Sequence, residues 1–221
     1  MTRKSAIILI LLGAPGAGKG TVAQYVKDKY DVFYFSTGNL LRNEVKEKSE
    51  IGRRVEDILG SGGLVGDDLV NEIVEKNLEK IAVDGSIVVL DGYPRTENQA
   101  RVLDEMMSGK FRDAIHVIEL VVDAEEVVAR ISQRRVCVKC GNTYGSKDNI
   151  KICSCGGELV RRKDDEEATV RNRLREYEKA TLPLSQYYSD RIVKVDGSVT
   201  PEEVAQQVNA CLCGFGIEKR R

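Results

Sequence analysis

The chain of 221 residues carries 34 Lys and Arg against 35 Asp and Glu, with 42% hydrophobic and 31% charged residues. This composition is typical of one globular domain with insertions, or of two small domains, and it excludes a disordered chain and a coiled coil. The formal charge of −1 excludes a broad electrostatic surface for nucleic acid or acidic membranes.

Short apolar or β-branched runs alternate with amphipathic helical patterns along the chain. The patterns predict strands at residues 6–12, 32–35, 86–90, 116–122 and 192–195. They predict helices at residues 19–30, 38–48, 52–59, 67–81, 97–107, 125–134, 167–189 and 201–213. Such alternation favours right-handed β-α-β units, so we expect an α/β fold with a five-stranded parallel sheet and helices on both faces.

The first predicted strand has a second interpretation. A short basic start at residues 1–4, followed by the apolar run AIILILL, imitates a secretory signal. A strand buried in a parallel sheet has the same apolar composition. The glycine-rich loop that follows the run favours the strand over the secretory signal, because cleavage of a signal would destroy that loop.

Two segments interrupt the alternation of strands and helices. Residues 36–65 are all helical and end in the glycine-rich stretch GSGGLVG, whereas residues 135–165 hold four of the six cysteines, several glycines and no long helical period. We therefore expect a core domain formed by residues 1–35, 66–132 and 166–221, with inserts at residues 36–65 and 133–165.

The segment GAPGAGKGT at residues 13–21 connects the first predicted strand to a helix. A glycine-rich turn that opens a helix directs several backbone N–H groups to one point, where the helix dipole also favours an anion. Lys19 adds a positive charge for the β- and γ-phosphates, and the Thr21 hydroxyl can approach Mg²⁺ or its waters. The segment therefore predicts a phosphate-binding loop for a nucleotide with Mg²⁺.

The GxxGxGKGT spacing of this loop resembles the nucleoside monophosphate kinases. Further segments narrow the resemblance to the adenylate kinase family: FSTGNLLR at residues 35–42, GLV at 63–65, DGYPR at 91–95 followed by Gln99, and the arginines and aspartates at 130–135, 162–165 and 173. Asn39 stands where the family usually has Asp. The resemblance covers essentially the whole chain in order. It implies a P-loop NTPase-type core, a helical insert at 36–65 that binds the nucleoside monophosphate, and a lid at 133–165 over ATP.

The resemblance implies reversible transfer of the γ-phosphoryl group of MgATP to AMP, giving two ADP by direct in-line displacement. The implied catalytic residues are Lys19, Asp91, Arg95, Arg134, Arg162 and Arg173. The implied ATP-binding residues are Gly16, Ala17, Gly18, Lys19, Gly20, Thr21, Arg130, Arg134, Thr143, Tyr144 and Val199. The implied AMP-binding residues are Thr37, Gly38, Arg42, Gly63, Leu64, Val65, Gly92, Arg95, Gln99, Arg162 and Arg173.

Two of these implied roles bear on specificity and closure. Thr37 and Gln99 favour AMP over UMP or CMP, since a glutamine can donate to and accept from adenine at the same time. Asp164 and Asp165 have two interpretations: they cap the helix predicted near residue 167, or they pair with arginines when the lid closes.

Four cysteines form the pairs Cys137-x-x-Cys140 and Cys153-x-Cys155. They predict a structural Cys₄ zinc knuckle with no open coordination position. The second pair is CxC where the zinc-containing lids of the family have CxxC, so a three-cysteine site and free or redox-active thiols remain as alternatives. Cys211 and Cys213, on a late helix, are interpreted as packing or surface thiols.

Clustered cysteines suit a metal site in a reducing compartment, so we expect a cytoplasmic protein. We expect a monomer that binds ATP and AMP or ADP, with no nucleic acid and no membrane as partner. Three alternatives stay open: a UMP/CMP kinase, a GTP-dependent AMP kinase, and a nucleotide-dependent switch whose zinc module binds RNA or protein through Arg161, Arg162 and Lys163.

Overall fold

The computed structural model describes residues 6–82, 85–108, 114–145 and 150–220, without the side chains of Ser108 and Lys163. The basic start at residues 1–4 lies outside the described residues. The apolar run that follows it is a buried strand in the middle of a sheet, as the glycine-rich loop predicts.

The strands of the described residues form two sheets. In chain order they are β1 (Ile7–Gly13), β2 (Phe33–Ser36), β3 (Ile87–Asp91), β4 (Ile115–Val121), β5 (Arg135–Cys137), β6 (Thr143–Tyr144), β7 (Leu159–Val160) and β8 (Ile192–Asp196). The five-stranded sheet has the order β2-β3-β1-β4-β8, with every neighbouring pair parallel. The five predicted strands and the α/β fold class are confirmed.

Helices cover both faces of this sheet. In chain order, the α-helices of the described residues are α1 (Lys19–Lys29), α2 (Thr37–Glu47), α3 (Glu50–Ser61), α4 (Asp67–Ile81), α5 (Glu97–Ser108), α6 (Ala124–Gln133), α7 (Glu167–Glu176), α8 (Leu184–Tyr187) and α9 (Pro201–Gly214). Ile8 and Ile10 of β1 pack with α4, α5 and α8 on one face, while Leu9 and Leu11 pack with α1 and α9 on the other. Both faces of β1 are therefore buried, which explains its unbroken apolar run. None of the described helices is both long enough and apolar enough to cross a membrane.

The single helix predicted at residues 167–189 is wrong. After α7 the backbone forms a π-helical turn, Tyr177–Thr181, in which the Leu182 N–H donates to the Tyr177 carbonyl at 2.8 Å. Pro183 follows at once and has no N–H to continue the helix. The break has a consequence for the site, because the Thr181 hydroxyl within it donates to the Arg95 carbonyl at 2.9 Å.

Helices α2 and α3 form a helical pair between β2 and α4. They touch backbone to backbone at Gly52, where an added Cβ would lie 2.0 Å from the Glu44 carbonyl oxygen. The end of α3 reaches α7, where the Asn172 amide donates to the Ser61 carbonyl at 2.9 Å. The pair therefore bridges from the edge of the sheet to the segment that follows the cysteines.

Strands β5, β6 and β7 form a small antiparallel sheet in the order β6-β5-β7. Val136 pairs with Thr143 on one side and with Val160 on the other. The four cysteines lie in and beside this sheet, whose two- and three-residue strands bury little apolar surface. Such a module needs a further source of stability.

Candidate nucleotide site and cysteine cluster

A cavity of about 1290 Å³ lies at the carboxyl ends of the strands of the large sheet, where open α/β folds bind ligands. A smaller cavity of about 50 Å³ lies beneath α2 and α3. The two cavities share lining residues, among them Gly38, Arg42, Arg95 and Arg173. Together they form one continuous site that spans the large sheet, the helical pair and the cysteine-containing sheet.

The phosphate-binding loop lies on the floor of the larger cavity. Gly16 and Gly18 have φ values of +86° and +102°, a backbone region that favours glycine. A Cβ on Gly16 would also lie 2.7 Å from Ile131, so this position has no room for a side chain. The Lys19 ammonium donates to the carbonyls of Gly13 and Ala14 at 2.6 and 2.9 Å, which holds it over the loop and leaves one N–H for a ligand.

Cationic side chains crowd around the boundary between the two cavities. Among the described residues the cluster contains six cations and three carboxylates, namely Lys19, Arg42, Arg95, Arg134, Arg162 and Arg173 with Asp91, Asp164 and Asp165. Removal from water, with a smaller contribution from neighbouring arginines, lowers the pKa of Lys19 to about 8 and that of Arg42 to about 9. The cluster therefore has a deficit of negative charge, which a ligand with several phosphates would balance.

Asp164 and Asp165 pair with these arginines. The Asp165 carboxylate, fully removed from solvent, accepts two hydrogen bonds from Arg134, one of them at 2.9 Å, and lies 3.5 Å from Arg173 Nη1. Asp164 accepts from Arg173 Nη1 at 3.1 Å and lies 4.0 Å from Arg42 Nη1. Burial opposes its ionisation, but the surrounding arginines hold the pKa of Asp164 below its usual value. Helix α7 begins after Glu166 instead, so the capping interpretation of the two aspartates is wrong.

The sulfur atoms of Cys137, Cys140, Cys153 and Cys155 all lie within 4.8 Å of one another. The Cys137–Cys155 and Cys140–Cys153 sulfur pairs are 3.5 and 3.4 Å apart. In a tetrahedral zinc–thiolate site the sulfurs are about 3.8 Å apart, so the four side chains fit such an ion. The Tyr144 hydroxyl, 3.1 Å from the Cys153 sulfur, lowers the pKa of that thiol, which favours the thiolate form that binds metal.

A family model described as "Adenylate kinase" matches residues 11–193 of the chain. The chain belongs to the adenylate kinase family. Adenylate kinases of Fervidobacterium nodosum and Thermosipho melanesiensis are each 44% identical to it, over 94% and 90% of the chain and 98% and 96% of their own lengths. An adenylate kinase of Archaeoglobus fulgidus is 42% identical over 92% of the chain and 97% of its own length. Members of this family transfer the γ-phosphoryl group of ATP to AMP, and the chain is a phosphotransferase of this kind.

The residues that the adenylate kinase resemblance implied for ATP and AMP all line one or both of the two cavities. Arg130, Thr143, Tyr144 and Val199 lie around the outer part of the larger cavity, where Arg130 also pairs with Glu126 at 2.5 Å. Thr37 and Gln99 lie in the smaller cavity. The structure thus brings together the whole predicted set from distant parts of the chain.

Gln99 lines the smaller cavity, and two hydrogen bonds to other residues hold its side-chain amide in place. Its Oε1 accepts from the Arg95 backbone N–H at 2.8 Å, and its Nε2 donates to Asp67 Oδ1 at 2.8 Å. Each amide atom retains one further hydrogen-bonding position, because the oxygen has two lone pairs and the nitrogen two hydrogens. The amide is therefore fixed in orientation and remains able to donate and accept at once.

Three residues that hold the site in place carry no signal in the sequence. Asp67 orients Gln99, Thr181 holds the Arg95 carbonyl, and the Tyr34 hydroxyl donates to Asp91 Oδ2 at 2.8 Å. Their partners are 32, 86 and 57 residues away. No local spacing in the sequence marks such contacts, so only the folded chain reveals them.

Proposed function

We propose that this chain carries out MgATP + AMP ⇌ 2 ADP by direct in-line transfer within the continuous site, with ATP in the larger cavity and AMP in the smaller one. The observation that supports this proposal most directly is the deficit of negative charge at the boundary between the cavities. Two nucleotides whose phosphates meet there would supply the negative charge that balances the cations. A site for a single nucleotide has no need of Arg42 and Arg95 beside the second cavity.

The donor nucleotide would be held by the phosphate-binding loop. Backbone N–H groups of residues 16–21 and the free N–H of Lys19 would bind the β- and γ-phosphates. The Thr21 hydroxyl and the Asp91 carboxylate line the same cavity and are oxygen donors of the kind that suits Mg²⁺ and its waters. When bound with ATP, Mg²⁺ would neutralise phosphate charge that develops during the transfer.

The acceptor would be held by Arg42 and Arg95, whose guanidinium groups bind the phosphate of AMP bidentately. An AMP phosphate oxygen attacks the γ-phosphorus, and the bond from that phosphorus to the β–γ bridging oxygen breaks, which leaves ADP on each side. Arg134, Arg162 and Arg173 stabilise the charge that spreads over the transferring group. No covalent enzyme intermediate is required, since positioning and charge stabilisation supply the catalysis.

We propose that residues 36–65 and 133–165 act as two inserts that close over the core. Support comes from the contact between them, in which Arg42 lies 4.0 Å from Asp164. The first insert also reaches α7 of the core, where the Asn172 amide donates to the Ser61 carbonyl. Closure would exclude water, which otherwise would hydrolyse ATP.

The function is tested by a panel of phosphoryl acceptors and donors. AMP, CMP, UMP and GMP are each offered with ATP and with GTP, and formation of the nucleoside diphosphates is followed by a coupled assay. We expect fastest turnover with AMP and ATP. Fastest turnover of CMP or UMP, or hydrolysis of ATP that AMP does not stimulate, would contradict the proposal. If GTP is the preferred donor, the proposed acceptor, AMP, still stands, and the proposed donor changes from ATP to GTP.

We also propose that the cysteine cluster holds one structural Zn²⁺, with all four thiolates as ligands. The ion would cross-link β5 and the loop before β7 and so stabilise a sheet with almost no apolar core. Reduced clustered thiols of this kind support a cytoplasmic location. We propose a monomer as the active unit, because one copy of the chain supplies every residue that the resemblance implies for ATP and for AMP.

Replacement of Gly157 by alanine is expected to weaken metal binding at this site. An added Cβ at Gly157 would lie 2.4 Å from the Cys137 sulfur, too close for the thiolate to keep its position. We expect close to one zinc per wild-type chain, and release of zinc to a chelator at least tenfold faster from Gly157→Ala. Gly214→Ala serves as the control, because nothing lies within 4 Å of a Cβ there. Metal analysis that finds no zinc in wild-type protein purified without chelators would refute the site.

A further inference from the structure

Tyr34 and Asp91 lie side by side at the edge of the large sheet. Ser36 of β2 pairs with Asp91 of β3, and Tyr34 stands two residues before Ser36 on the same face of β2. The Tyr34 hydroxyl therefore reaches diagonally across the two strands to Asp91 Oδ2, with a donor–acceptor distance of 2.8 Å. Both side chains line the larger cavity.

The Tyr34 ring is itself held in place. The Lys27 ammonium of α1 lies 5.5 Å from the centre of the ring, within the range of a cation–π contact. Burial and the neighbouring carboxylate raise the pKa of the Tyr34 hydroxyl far above its usual value, so the hydroxyl remains a donor. Asp91 thus has a permanent hydrogen-bond donor on a side chain fixed between helix and sheet.

A single hydrogen bond to one oxygen fixes the rotation of a carboxylate about its Cβ–Cγ bond. The other oxygen, Oδ1, and the second lone pair of Oδ2 remain for other partners. Asp91 and Lys19 line the same cavity, and the carboxylate opposes the fall in the pKa of the Lys19 ammonium, so the two charges interact across the site. Without the Tyr34 hydroxyl, the Asp91 carboxylate would lose the hydrogen bond that fixes its rotation.

We propose that Tyr34 is a positioning residue that holds the Asp91 carboxylate in the orientation in which it accepts from the waters of the Mg²⁺ carried by ATP. This inference rests on the proposed function, in which Asp91 orders those waters. In this proposal Tyr34 acts on the metal's waters only through Asp91.

The test measures how much Mg²⁺ strengthens ATP binding. Calorimetric titration of ATP, with Mg²⁺ and with the metal removed by chelation, is carried out without AMP so that no transfer occurs. We expect Tyr34→Phe, which keeps the ring and loses the hydroxyl, to reduce the gain from Mg²⁺ by about tenfold. The affinity for metal-free ATP is expected to stay within about twofold of wild type, because the phosphate-binding loop is intact.

Three further variants make the test specific. Tyr187→Phe is the matched control, because the Tyr187 hydroxyl donates to the carboxylate of Asp104 at 2.9 Å, away from the residues that line the two cavities. Asp91→Asn removes the charge on which Tyr34 acts. In the double variant of Tyr34→Phe with Asp91→Asn, we expect no loss beyond that of Asp91→Asn alone, since the two residues act in series.

The proposal is overturned if Tyr34→Phe retains the full gain from Mg²⁺ while Asp91→Asn loses it, a result that leaves the proposed function standing. Equal losses in Tyr34→Phe and Tyr187→Phe would also overturn it, since they would indicate general destabilisation. If the wild-type chain forms no ADP from AMP and ATP, the proposed function fails first and this inference falls with it.

Discussion

Replacement of Lys19 by methionine is expected to lower kcat for ADP formation by about a thousandfold. Methionine matches the length and apolar stem of lysine but has no charge and no N–H. The ammonium is held over the phosphate-binding loop by the Gly13 and Ala14 carbonyls, so its remaining N–H is already oriented before a phosphate arrives. Loss of a preorganised cation at developing phosphate charge costs more in the transition state than in the bound state.

The fall should therefore appear chiefly in kcat, with a smaller rise in KM for ATP. Steady-state kinetics at saturating AMP provide the measurement. Lys29→Met is the control, because Lys29 lies on the same helix and is exposed. A Lys19→Met variant that retains more than about a tenth of the wild-type kcat would contradict the role that we propose for this ammonium.

Replacement of Asp165 by asparagine is expected to affect stability and catalysis together. The Asp165 carboxylate is fully buried and is shared by Arg134 and Arg173. Removal of its charge leaves two guanidinium groups in a region already short of negative charge, and breaking a buried pair of this kind costs about 3 kcal/mol. For a chain of this length we expect a fall in Tm of roughly 6 to 12 °C.

The catalytic effect of Asp165→Asn follows from the position of the two arginines. Without the carboxylate, Arg134 and Arg173 lose the partner that fixes their position. In the role that we propose for them, they then stabilise the transferring group less well, and we expect kcat to fall about a hundredfold. Measurements at a temperature well below the lowered Tm separate this effect from unfolding. Asp57→Asn, on the exposed face of α3, is the control and should change neither quantity. An unchanged Tm in Asp165→Asn would mean that the buried pairing does not exist in solution.

The fold and the members of the site were predictable from different kinds of pattern. The run at residues 6–12 and the glycine-rich loop after it are local features, and the strand, turn and helix that they predict are confirmed. Arg42, Arg95, Gln99 and Arg173 were selected by their resemblance to family motifs, and they do meet in adjoining cavities. The helix predicted at 167–189 is wrong because helical periodicity persists through a π-helical turn while Pro183 breaks the hydrogen-bond pattern.

The partners of those residues could not be predicted. Arg134 and Asp165 are 31 residues apart in the chain, so no local pattern links them. The position of Asp165 just before a predicted helix favoured the competing interpretation as a helix cap. Tyr34 reads in the sequence as one more aromatic residue of a strand. Its contact with Asp91 exists because β2 lies next to β3 in the sheet, although α2, α3 and α4 separate them in the chain.

Length, composition and charge indicated one domain with insertions, an ordinary balance of charges and a cluster of cysteines. By itself the sequence determined the type of most elements, the glycine-rich loop, the two cysteine pairs and the family, because each depends on residues close together in the chain or on an ordered series of motifs. The tertiary structure decided the local excess of cations over carboxylates, which a net charge of −1 conceals. It also decided which carboxylate holds which arginine, since charge and hydrogen-bond energies depend on distances in space that only the packed sheet and helices fix.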